Sequence, residues 1–338
     1  MPGKGRIPGM SKSPIAALIA IAAAAILLSG CSERRKDAEE GLAQVRLQTD
    51  WYPQGEHGGF YYALACGYYR EEGLDVEILP GGLSYMGALK VTEGRAEFAM
   101  HKAEAIVRHT DQGMPLRIVM ATLQHDPQGI LVHDESPVRS FADLNGRLLM
   151  AMPGGTWLAF LSRKYGIEPV IVPSDKGMER FLADPGLSQQ CMATSEPFYA
   201  AQKGVRTRVL LLRDAGFDPY HVVYTSNSFA AAHPEEVTAF VRASIRGWRD
   251  YLTKDPSPAF ELIKRLNPRQ TDAQLNFSRQ ALIDGGYAFD PAHPEECGTI
   301  SDSRMEALSA QMIELGLIGR MPGPSLWKLA PKTPGHQP

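Results

Sequence analysis

The sequence of 338 residues predicts an α/β protein of two lobes, each a mainly parallel sheet flanked by helices, with a helical C-terminal end. Three observations support this prediction. Short β-type runs alternate with helical patterns in two successive series, which is typical of parallel sheets. The steps Asp126-Pro127 and Asp218-Pro219 bracket the second series. From Pro234 onward, apolar residues recur almost wholly at helical spacing. Two crossings between lobes would form a hinge on which the lobes close.

The first series has four predicted strands, of which residues 74–79 show the clearest pattern. This stretch, L-D-V-E-I-L, alternates strictly between apolar and polar residues and therefore indicates a half-buried strand. Gly73 and Gly113 each stop a predicted helix. The predicted strands are 45–49, 74–79, 96–100 and 116–123. The predicted helices are 60–72, a helix capped by Ser84 that ends at Glu93, and 103–112.

The second series repeats the alternation and leads into the helical end. Its predicted strands are 129–132, 147–152, 170–172, 191–194, 205–212 and 222–225. Its predicted helices are 157–165, 178–182 and 196–203, followed by 237–252, 260–266, 275–283 and 305–315. We therefore assign residues 44–126 and 222–329 to the first lobe, residues 127–221 to the second lobe, and residues 330–338 to a loose tail.

The N-terminal residues 1–30 have the composition of a secretory signal peptide. Lys4, Arg6 and Lys12 precede an apolar run at 15–28 that is too short for a comfortable membrane span. The following L-S-G-C resembles a bacterial lipobox, which makes Cys31 the expected lipidation site and residues 31–43 the lipidated tether. We expect a protein anchored by lipid to a membrane, in the periplasm or at the cell surface. Two alternatives stay open, an uncleaved anchor and a start at Met10.

Charge and cysteine content exclude several classes of protein. Without the signal peptide, the chain keeps 32 basic against 38 acidic residues, which argues against a nucleic-acid partner. The three remaining cysteines, Cys66, Cys191 and Cys297, are an odd number without C-x-x-C spacing, and buried unreactive thiols are the favoured interpretation.

The sequence has no glycine-rich phosphate loop, no G-x-S-x-G and no H-E-x-x-H. We therefore expect no catalytic residue, no metal and no cofactor.

Aromatic and polar residues are concentrated where a ligand could bind. The stretch 50–63, D-W-Y-P-Q-G-E-H-G-G-F-Y-Y-A, holds five aromatic rings, and a flat heteroaromatic ligand stacks on rings. Trp157 and Tyr199 lie at comparable places in the second series. Glu196 begins a helix just after a strand, an end that commonly faces the cleft of an open sheet. Core packing of the rings and simple helix-start electrostatics at Glu196 are the structural alternatives.

Two P-G-G turns recur at matching places in the two series. Each follows a strand and precedes a hydroxyl residue, an aromatic residue and a helix. Glycines let a ligand approach the backbone, and a helix N-terminus offers free N–H groups. Ordinary strand-to-helix turns are the alternative. The predicted backbone contacts are Gly81, Gly82, Gly154, Gly155 and Thr156.

The segment from D-W-Y-P-Q-G-E-H-G-G-F-Y-Y-A to G-Y-Y-R-E-E-G-L-D-V resembles the opening of the nitrate/taurine/sulfonate and thiamine-precursor family of periplasmic binding proteins. The later P-G-G-x-S, E-G-R-A-E-F-A, D-L-N-G-R-L-L, T-S-E-P-F-Y and H-P-E-E-V-T-A-F-V-R-A fit as well. The resemblance implies a type II periplasmic-binding fold, a monomer, and an ABC permease with its ATPase as partners. Its W-x-P-x-x-x-H form is closest to the branch that binds thiamine pyrimidine precursors. Carried over residue by residue, the resemblance implies ligand contacts at Trp51, His57, Tyr61, Ser84 and Glu196.

Two other functions stay open within the same resemblance. A sulfonate, taurine or nitrate binder would rely on helix N-termini and hydroxyls, whereas a buried carboxylate repels an anion. The pyrimidine synthase of thiamine biosynthesis would use a lysine where this chain has His101, beside Lys102, and a histidine where it has Ala105. That enzyme's cysteine-rich stretch corresponds to residues 216–221, which contain no cysteine.

Overall fold

The computed structural model describes residues 41–82, 85–174 and 177–328. By its contacts the chain forms the units Met1–Ala43 and Gln44–Pro338, and only residues 41–43 of the first unit are described. The predicted signal peptide, the lipidation site Cys31, the contact residue Ser84 and the predicted tail lie outside the described residues. The fold described below is that of the second unit, together with the first residue of strand β1.

The first sheet has the strand order β2-β1-β3-β10-β4. Strand β1 pairs in parallel with β3, with Leu47 opposite Phe98. Strand β10 runs antiparallel to both β3 and β4. The strands are β1 (Ala43–Gln48), β2 (Leu74–Leu79), β3 (Phe98–Lys102), β4 (Leu116–Leu123) and β10 (His221–Ser226).

The second sheet repeats this arrangement in the order β7-β6-β8-β5-β9. Strand β6 is parallel to β7 and β8, and β5 is antiparallel to β8 and β9. The strands are β5 (Gln128–His133), β6 (Leu148–Ala151), β7 (Val170–Pro173), β8 (Ser188–Met192) and β9 (Thr207–Leu211). The predicted α/β fold class is thus confirmed. In each sheet the reversed strand directly follows a crossing, because the crossing chain enters at the edge where the other strands end.

Helices flank both sheets, and the longest of them lie at the C-terminal end. We call each sheet with its helices a lobe, the C-terminal helices belonging with the first sheet. The helices before the second crossing are α1 (Gly58–Ala65), α2 (Tyr68–Glu71), α3 (Gly87–Thr92), α4 (Ala103–Asp111), α5 (Thr156–Tyr165), α6 (Glu179–Ala183) and α7 (Glu196–Gln202). The helices after it are α8 (Asn227–Ala232), α9 (Pro234–Thr253), α10 (Ser257–Leu266), α11 (Asp272–Asp284) and α12 (Asp302–Glu314).

Some predicted boundaries are wrong. The single helix predicted at 60–72 is two helices, because Gly67 takes the left-handed conformation (φ 77°) and ends the first of them. The strand predicted at 191–194 ends at Met192, whose amide is bound by the side chain of Glu196 rather than by a neighbouring strand. The helix predicted to follow Ser84 directly begins at Gly87.

Glycines let α1 approach α9 closely. A Cβ atom on Gly58 would lie 2.1 Å from the ring of Tyr251, and one on Gly59 would lie 2.3 Å from the ring of Trp248. From the other helix, a Cβ on Gly247 would lie 2.3 Å from the carbonyl oxygen of Gly59. These glycines of the aromatic-rich segment therefore serve helix packing, and no ligand is needed to explain them.

The two Asp-Pro steps lie side by side. The amide of Asp126 donates to Oδ1 of Asp218 (2.8 Å), and Nδ1 of His125 lies 2.6 Å from Oδ2 of the same carboxylate. The guanidinium of Arg304, on the C-terminal helix α12, lies 3.3 Å from that oxygen. The crossings between the sheets are therefore joined to each other and to the helical end by one carboxylate.

Candidate ligand-binding cleft

The five rings of residues 50–63 divide into two groups. Trp51 and Tyr52 are 36 % and 46 % exposed and meet edge to face with ring centroids 5.5 Å apart. Phe60, Tyr61 and Tyr62 are buried. Burial raises the pKa of the Tyr61 hydroxyl, and that hydroxyl has no hydrogen-bond partner among the described residues. Trp51 is therefore accessible for stacking, whereas Tyr61 lies in the core behind it.

His57 follows Trp51 in the same segment and binds the carboxylate of Asp50. Its Nε2 is 3.0 Å from Oδ1 of Asp50, and the ring is only 1 % exposed. Burial by itself would raise the pKa of Asp50, but the hydrogen bond to His57, the charge of His57 and the smaller effects of His221 and His101 lower it to about 2. Asp50 is thus an ionised carboxylate at the end of β1.

His101, the penultimate residue of the neighbouring strand β3, is a neutral imidazole. Burial lowers its pKa to about 4, against the opposing effect of Asp50. Its Nδ1 accepts a hydrogen bond from the amide of Lys102 (2.8 Å), which leaves the proton on Nε2. The ring of Tyr85 lies 5.2 Å away, and the Tyr85 hydroxyl donates to the carbonyl of Met100. This strand end therefore offers an N–H donor beside an anionic carboxylate.

A buried ion pair joins the two sheets next to these histidines, and we call its residues the hinge cluster. Nζ of Lys102 lies 2.7 Å from Oδ2 of Asp126 and 2.5 Å from Oε1 of Gln128, which begins the second sheet. Nε2 of His221 lies 3.2 Å from the other oxygen of Asp126. Burial opposes ionisation of Asp126, but the Lys102 and His221 charges hold its pKa well below the usual range. Lys102 and Asp126 thus satisfy each other, whereas Nε2 of Gln128 has no hydrogen-bond partner among the described residues.

Glu196 begins α7 in the second lobe and lies next to a carboxylate of the first lobe. Its Oε2 accepts from the Met192 amide (2.7 Å). Burial, opposed by backbone hydrogen bonds and assisted by the charge of Glu56, raises the pKa of Glu196 to about 7. Glu56 is 6 % exposed and accepts a hydrogen bond from the hydroxyl of Thr194. Two carboxyl groups from opposite lobes are thus close together.

Helix α7 also contacts the first lobe through its rings. The centroids of Phe198 and Phe277 are 5.5 Å apart, and Tyr199 hydrogen-bonds Gln274 of the same helix α11. Tyr199 is half-buried at this contact. Trp157 lies elsewhere, within the main hydrophobic core at 4 % exposure. Of the two predicted rings of the second lobe, Tyr199 therefore lies on the side of Glu196 and Trp157 is a core residue.

The two P-G-G turns differ in structure. The amide of Gly81 donates to the carbonyl of Trp51 (3.0 Å), and a Cβ there would lie 2.2 Å from the carbonyl oxygen of Thr49. No helix begins at Gly82, because α3 starts five residues later. In the second lobe α5 starts with Thr156, directly after Gly154 and Gly155. The second turn alone leads straight into a helix N-terminus.

Sequence reasoning missed three residues of this region. Asp50, Glu56 and Thr194 were not selected, although the first two flank Trp51 and His57 in the segment that was. A charged residue inside an aromatic-rich segment is the signal that could have found Glu56. The contact with Thr194, 138 residues away, has no counterpart in the sequence pattern.

The family model of the NMT1/THI5-like proteins matches residues 54–259, more than half of the chain. The chain belongs to the NMT1/THI5-like family. This match confirms the resemblance found in the sequence. Among the described residues, no three His, Cys, Asp or Glu side chains are grouped to hold a metal, and no helix there is both long and apolar enough to cross a membrane.

Named relatives of this NMT1/THI5-like protein fall into binding proteins and enzymes. The riboflavin-binding protein RibY of Chloroflexus aurantiacus is 29 % identical over 258 residues, 73 % of each chain. The formylaminopyrimidine-binding protein of Halalkalibacterium halodurans is 27 % identical over 144 residues, 40 % of this chain and 41 % of the other. The 4-amino-5-hydroxymethyl-2-methylpyrimidine phosphate synthase of Legionella pneumophila is 24 % identical, over 67 % of this chain and 75 % of the other.

Solved structures show the same fold. The periplasmic sulfonate-binding protein SsuA of Methylobacillus flagellatus superposes with a TM-score of 0.63 over 86 % of this chain and 92 % of its own, at 15 % identity. The aliphatic sulphonate-binding protein SsuA of Escherichia coli gives 0.59 over 87 % and 98 %, at 12 % identity. The predicted periplasmic-binding fold is thereby confirmed.

Proposed function

We propose that this NMT1/THI5-like protein is the extracytoplasmic solute-binding component of an ABC importer, anchored to a membrane by lipid at Cys31. It delivers its ligand to a permease driven by an ATPase. The fold and the binding-protein relatives support the transport role. The basic and apolar residues before L-S-G-C support the location.

The ligand is a small nitrogen heteroaromatic, of which an aminopyrimidine precursor of thiamine is the first candidate. The observation that carries this proposal is the position of Glu196, half-buried at the end of β8 and opposite the aromatic-rich segment of the first lobe. A carboxylate placed there accepts hydrogen bonds from an amino group and a ring N–H. The exposed ring of Trp51 supplies a stacking face, worth about 0.5–1.5 kcal/mol beyond burial.

Binding proceeds by closure of the lobes. Trp51 and Asp50 present the first wall, and Glu196 with Tyr199 presents the second. Residues that bridge the lobes at the hinge, such as Lys102 and Gln128, stay joined while the far side opens. Closure removes water from the carboxylate contacts and thereby strengthens them. The closed surface is then recognised by the permease.

An isoalloxazine, the ring system of riboflavin, is the second candidate ligand. The observation in its favour is the similarity to the riboflavin-binding protein RibY over 73 % of both chains. An isoalloxazine contains a pyrimidine-dione ring whose N–H can donate to Glu196. The two ligands share a flat ring and an N–H edge, and they differ in size and in the sugar-alcohol chain.

A sulfonate, taurine or nitrate ligand is disfavoured by the charges of the cleft. Asp50, Glu56 and Glu196 would all face or adjoin an anion, and none of their hydrogen bonds as described comes from a lysine or arginine. The likeness to sulfonate-binding structures at 12–15 % identity concerns the fold alone.

An enzyme of the synthase type is disfavoured because this chain lacks the residues that such an enzyme would use. His101 stands where that enzyme has its lysine, and its ring accepts a hydrogen bond from its own neighbour's amide. The adjacent Lys102 amine is engaged by Asp126 and Gln128 and is not available to form a covalent bond with a cofactor aldehyde. Ala105 stands where the enzyme has its histidine donor.

The first experiment is a thermal-shift panel on protein beginning at Ser32. It includes hydroxymethyl- and formylamino-pyrimidines, thiamine, riboflavin, pyridoxal phosphate, taurine, alkanesulfonates and nitrate. A ligand at 100 times its Kd adds about 2.7 kcal/mol to the free energy of unfolding, which raises Tm measurably. We expect shifts with aminopyrimidines, riboflavin or both. A shift with taurine or alkanesulfonates alone would overturn the ligand proposal and leave the transport role in place.

A further inference from the structure

Glu56 is a buried carboxylate of the first lobe that contacts the second lobe. It lies in the short 3-10 turn Gly55–His57, just before α1. Its side chain accepts a hydrogen bond from the hydroxyl of Thr194, which is fully buried in the second lobe between β8 and α7. A carboxylate so well shielded from water needs a partner for each of its lone pairs.

The neighbours of Glu56 come from every element around it. On its own segment, the charge of His57 favours the ionised form and that of Asp50 opposes it. From the second lobe, Thr194 donates a hydrogen bond to Glu56. Burial raises the pKa of Glu196 and of Tyr199, and the charge of Glu56 raises both further. Burial is the largest effect and raises the pKa of Glu56. The two glutamates therefore disfavour each other's ionised form across the lobes.

Two buried hydroxyls next to this turn add an independent observation. Tyr251 is fully buried and Ser278 is 3 % exposed, and neither hydroxyl oxygen has a hydrogen-bond partner among the described residues. Both are close to Gly55, whose Cβ would lie 2.4 Å from Oγ of Ser278 and 3.6 Å from the Tyr251 hydroxyl. Burial raises the pKa of Tyr251, and the charge of Glu56 raises it further. Burying a hydroxyl without a hydrogen-bond partner is costly, and both hydroxyls lie against the turn that carries Glu56.

We propose that Glu56 is a specificity-determining residue, which together with Glu196 lines the cleft with two carboxylates and so selects ligands that carry several N–H donors or a positive charge. This inference rests on the proposed function and names the charge class of its ligand. An anion would meet two like charges, whereas a donor-rich heteroaromatic relieves the repulsion between them. The bond from Glu56 to Thr194 makes the same carboxylate part of lobe closure.

The pair gives binding a characteristic pH dependence. A carboxylate that accepts N–H donors must be ionised, and Glu196 ionises near pH 7 in the free protein. Affinity for a donor-rich ligand therefore rises with pH through this range, with release of protons on binding. In Glu56→Gln the like charge is gone, Glu196 ionises at lower pH, and the rise in affinity moves to lower pH with it. Glutamine keeps an acceptor for the Thr194 hydroxyl.

The first test needs no ligand. The full chain is labelled with 13C at the glutamate carboxyl carbon, and the Glu196 signal is assigned by its loss in Glu196→Gln. We expect its titration midpoint to fall by at least half a pH unit in Glu56→Gln and to stay in place in Glu104→Gln, a buried carboxyl outside this pair. An unchanged midpoint in Glu56→Gln would overturn the inference.

The second test measures affinity by calorimetry from pH 5.5 to 8.5 with hydroxymethyl-aminopyrimidine, riboflavin and taurine. We expect Glu56→Gln to weaken heteroaromatic binding at least fivefold at pH 8 and to displace its pH profile, while Glu104→Gln matches the parent. If the parent binds a heteroaromatic and Glu56→Gln matches it in affinity and profile, the inference fails and the proposed function stands. If the parent binds only taurine, the inference and the proposed ligand class both fail, and the transport role stands.

Discussion

Each lobe holds a glutamate in the first turn of a helix that follows a strand, buried in the first lobe and half-buried in the second. Glu104 follows β3 in the first lobe and Glu196 follows β8 in the second. Burial raises the pKa of both carboxyls to about 7. Their neighbours differ, because Glu104 adjoins Lys102 and Asp126 of the hinge cluster, whereas Glu196 adjoins Glu56 of the opposite lobe.

The difference shows that a carboxyl at a strand-to-helix junction takes its role from the charges around it. In the hinge cluster Lys102 and Asp126 already form a buried ion pair, which a ligand that displaced either charge would have to break. Beside Glu196 the nearest charge is of the same sign and belongs to the other lobe. An incoming donor would compete with Lys102 beside Glu104, whereas beside Glu196 it would offset the charge of Glu56. Four predictions test this contrast.

The largest effect should come from Asp126→Ala in the hinge cluster. Its removal leaves Lys102 buried without its counter-charge, and removing one partner of a buried pair costs about 3–5 kcal/mol. Urea unfolding measures the loss. Lys328→Met, which removes the exposed contact with Asp302, should leave the unfolding midpoint unchanged. Equal midpoints for both variants would mean that the buried pair does not stabilise the hinge.

The next largest effect should be a difference in ligand affinity between glutamine variants of Glu196 and Glu104. Glu196→Gln leaves ligand donors imperfectly paired and should weaken binding by about 1–3 kcal/mol. Glu104→Gln, with the same change of charge, should bind as the parent does. Calorimetry with the best ligand of the thermal-shift panel makes the comparison. If Glu104→Gln weakened ligand binding and Glu196→Gln did not, the ligand-binding carboxyl would be Glu104 and not Glu196.

The two P-G-G turns extend the contrast to the backbone. A Cβ on Gly81 would lie 2.2 Å from the carbonyl oxygen of Thr49, so Gly81→Ala should cost stability at the upper end of about 1–3 kcal/mol. Gly154 has a left-handed φ of 76° but nothing within 4 Å of a Cβ, so Gly154→Ala should cost about 1 kcal/mol. Thermal unfolding of both variants measures the two losses of stability. A larger loss in Gly154→Ala than in Gly81→Ala would refute the close approach at Gly81.

The fourth prediction concerns the pH dependence of stability. Glu104 and Glu196 keep their protons in the folded chain from the ordinary pKa of 4.5 up to about 7, whereas the unfolded chain loses them. Stability therefore falls as pH rises through this window, by at most about 1.4 kcal/mol per pH unit for each group. Each glutamine variant should flatten the slope of unfolding free energy against pH. Glu104→Gln should flatten it more, because Glu104 is the less exposed of the two. A steeper slope would contradict the direction of both shifts.

Much of the fold could be predicted because its signals are local. The alternation at 74–79 gave β2 with its bounds, and the apolar run at 116–123 gave β4. The helix predicted at 60–72 failed at Gly67, since a glycine inside a helical pattern is compatible with both continuation and a left-handed break. The residues of the candidate site were harder to predict from the sequence. Trp157 was selected by analogy of position, but its ring folds into the core, with Nε1 2.5 Å from where a Cβ on Gly155 would lie.

The sequence by itself determined the α/β class, the family and the concentration of rings and charge at residues 50–63, because periodicity and motifs are properties of neighbouring residues. Only the tertiary structure decided which of those residues face a partner. Glu56 and Thr194 are 138 positions apart and meet because the chain crosses twice between sheets. Glu104 and Glu196 have the same local setting, and the three-dimensional arrangement of Lys102, Asp126 and Glu56 distinguishes them. Charge acts through space, so the roles of these carboxyls depend on contacts that no local pattern encodes.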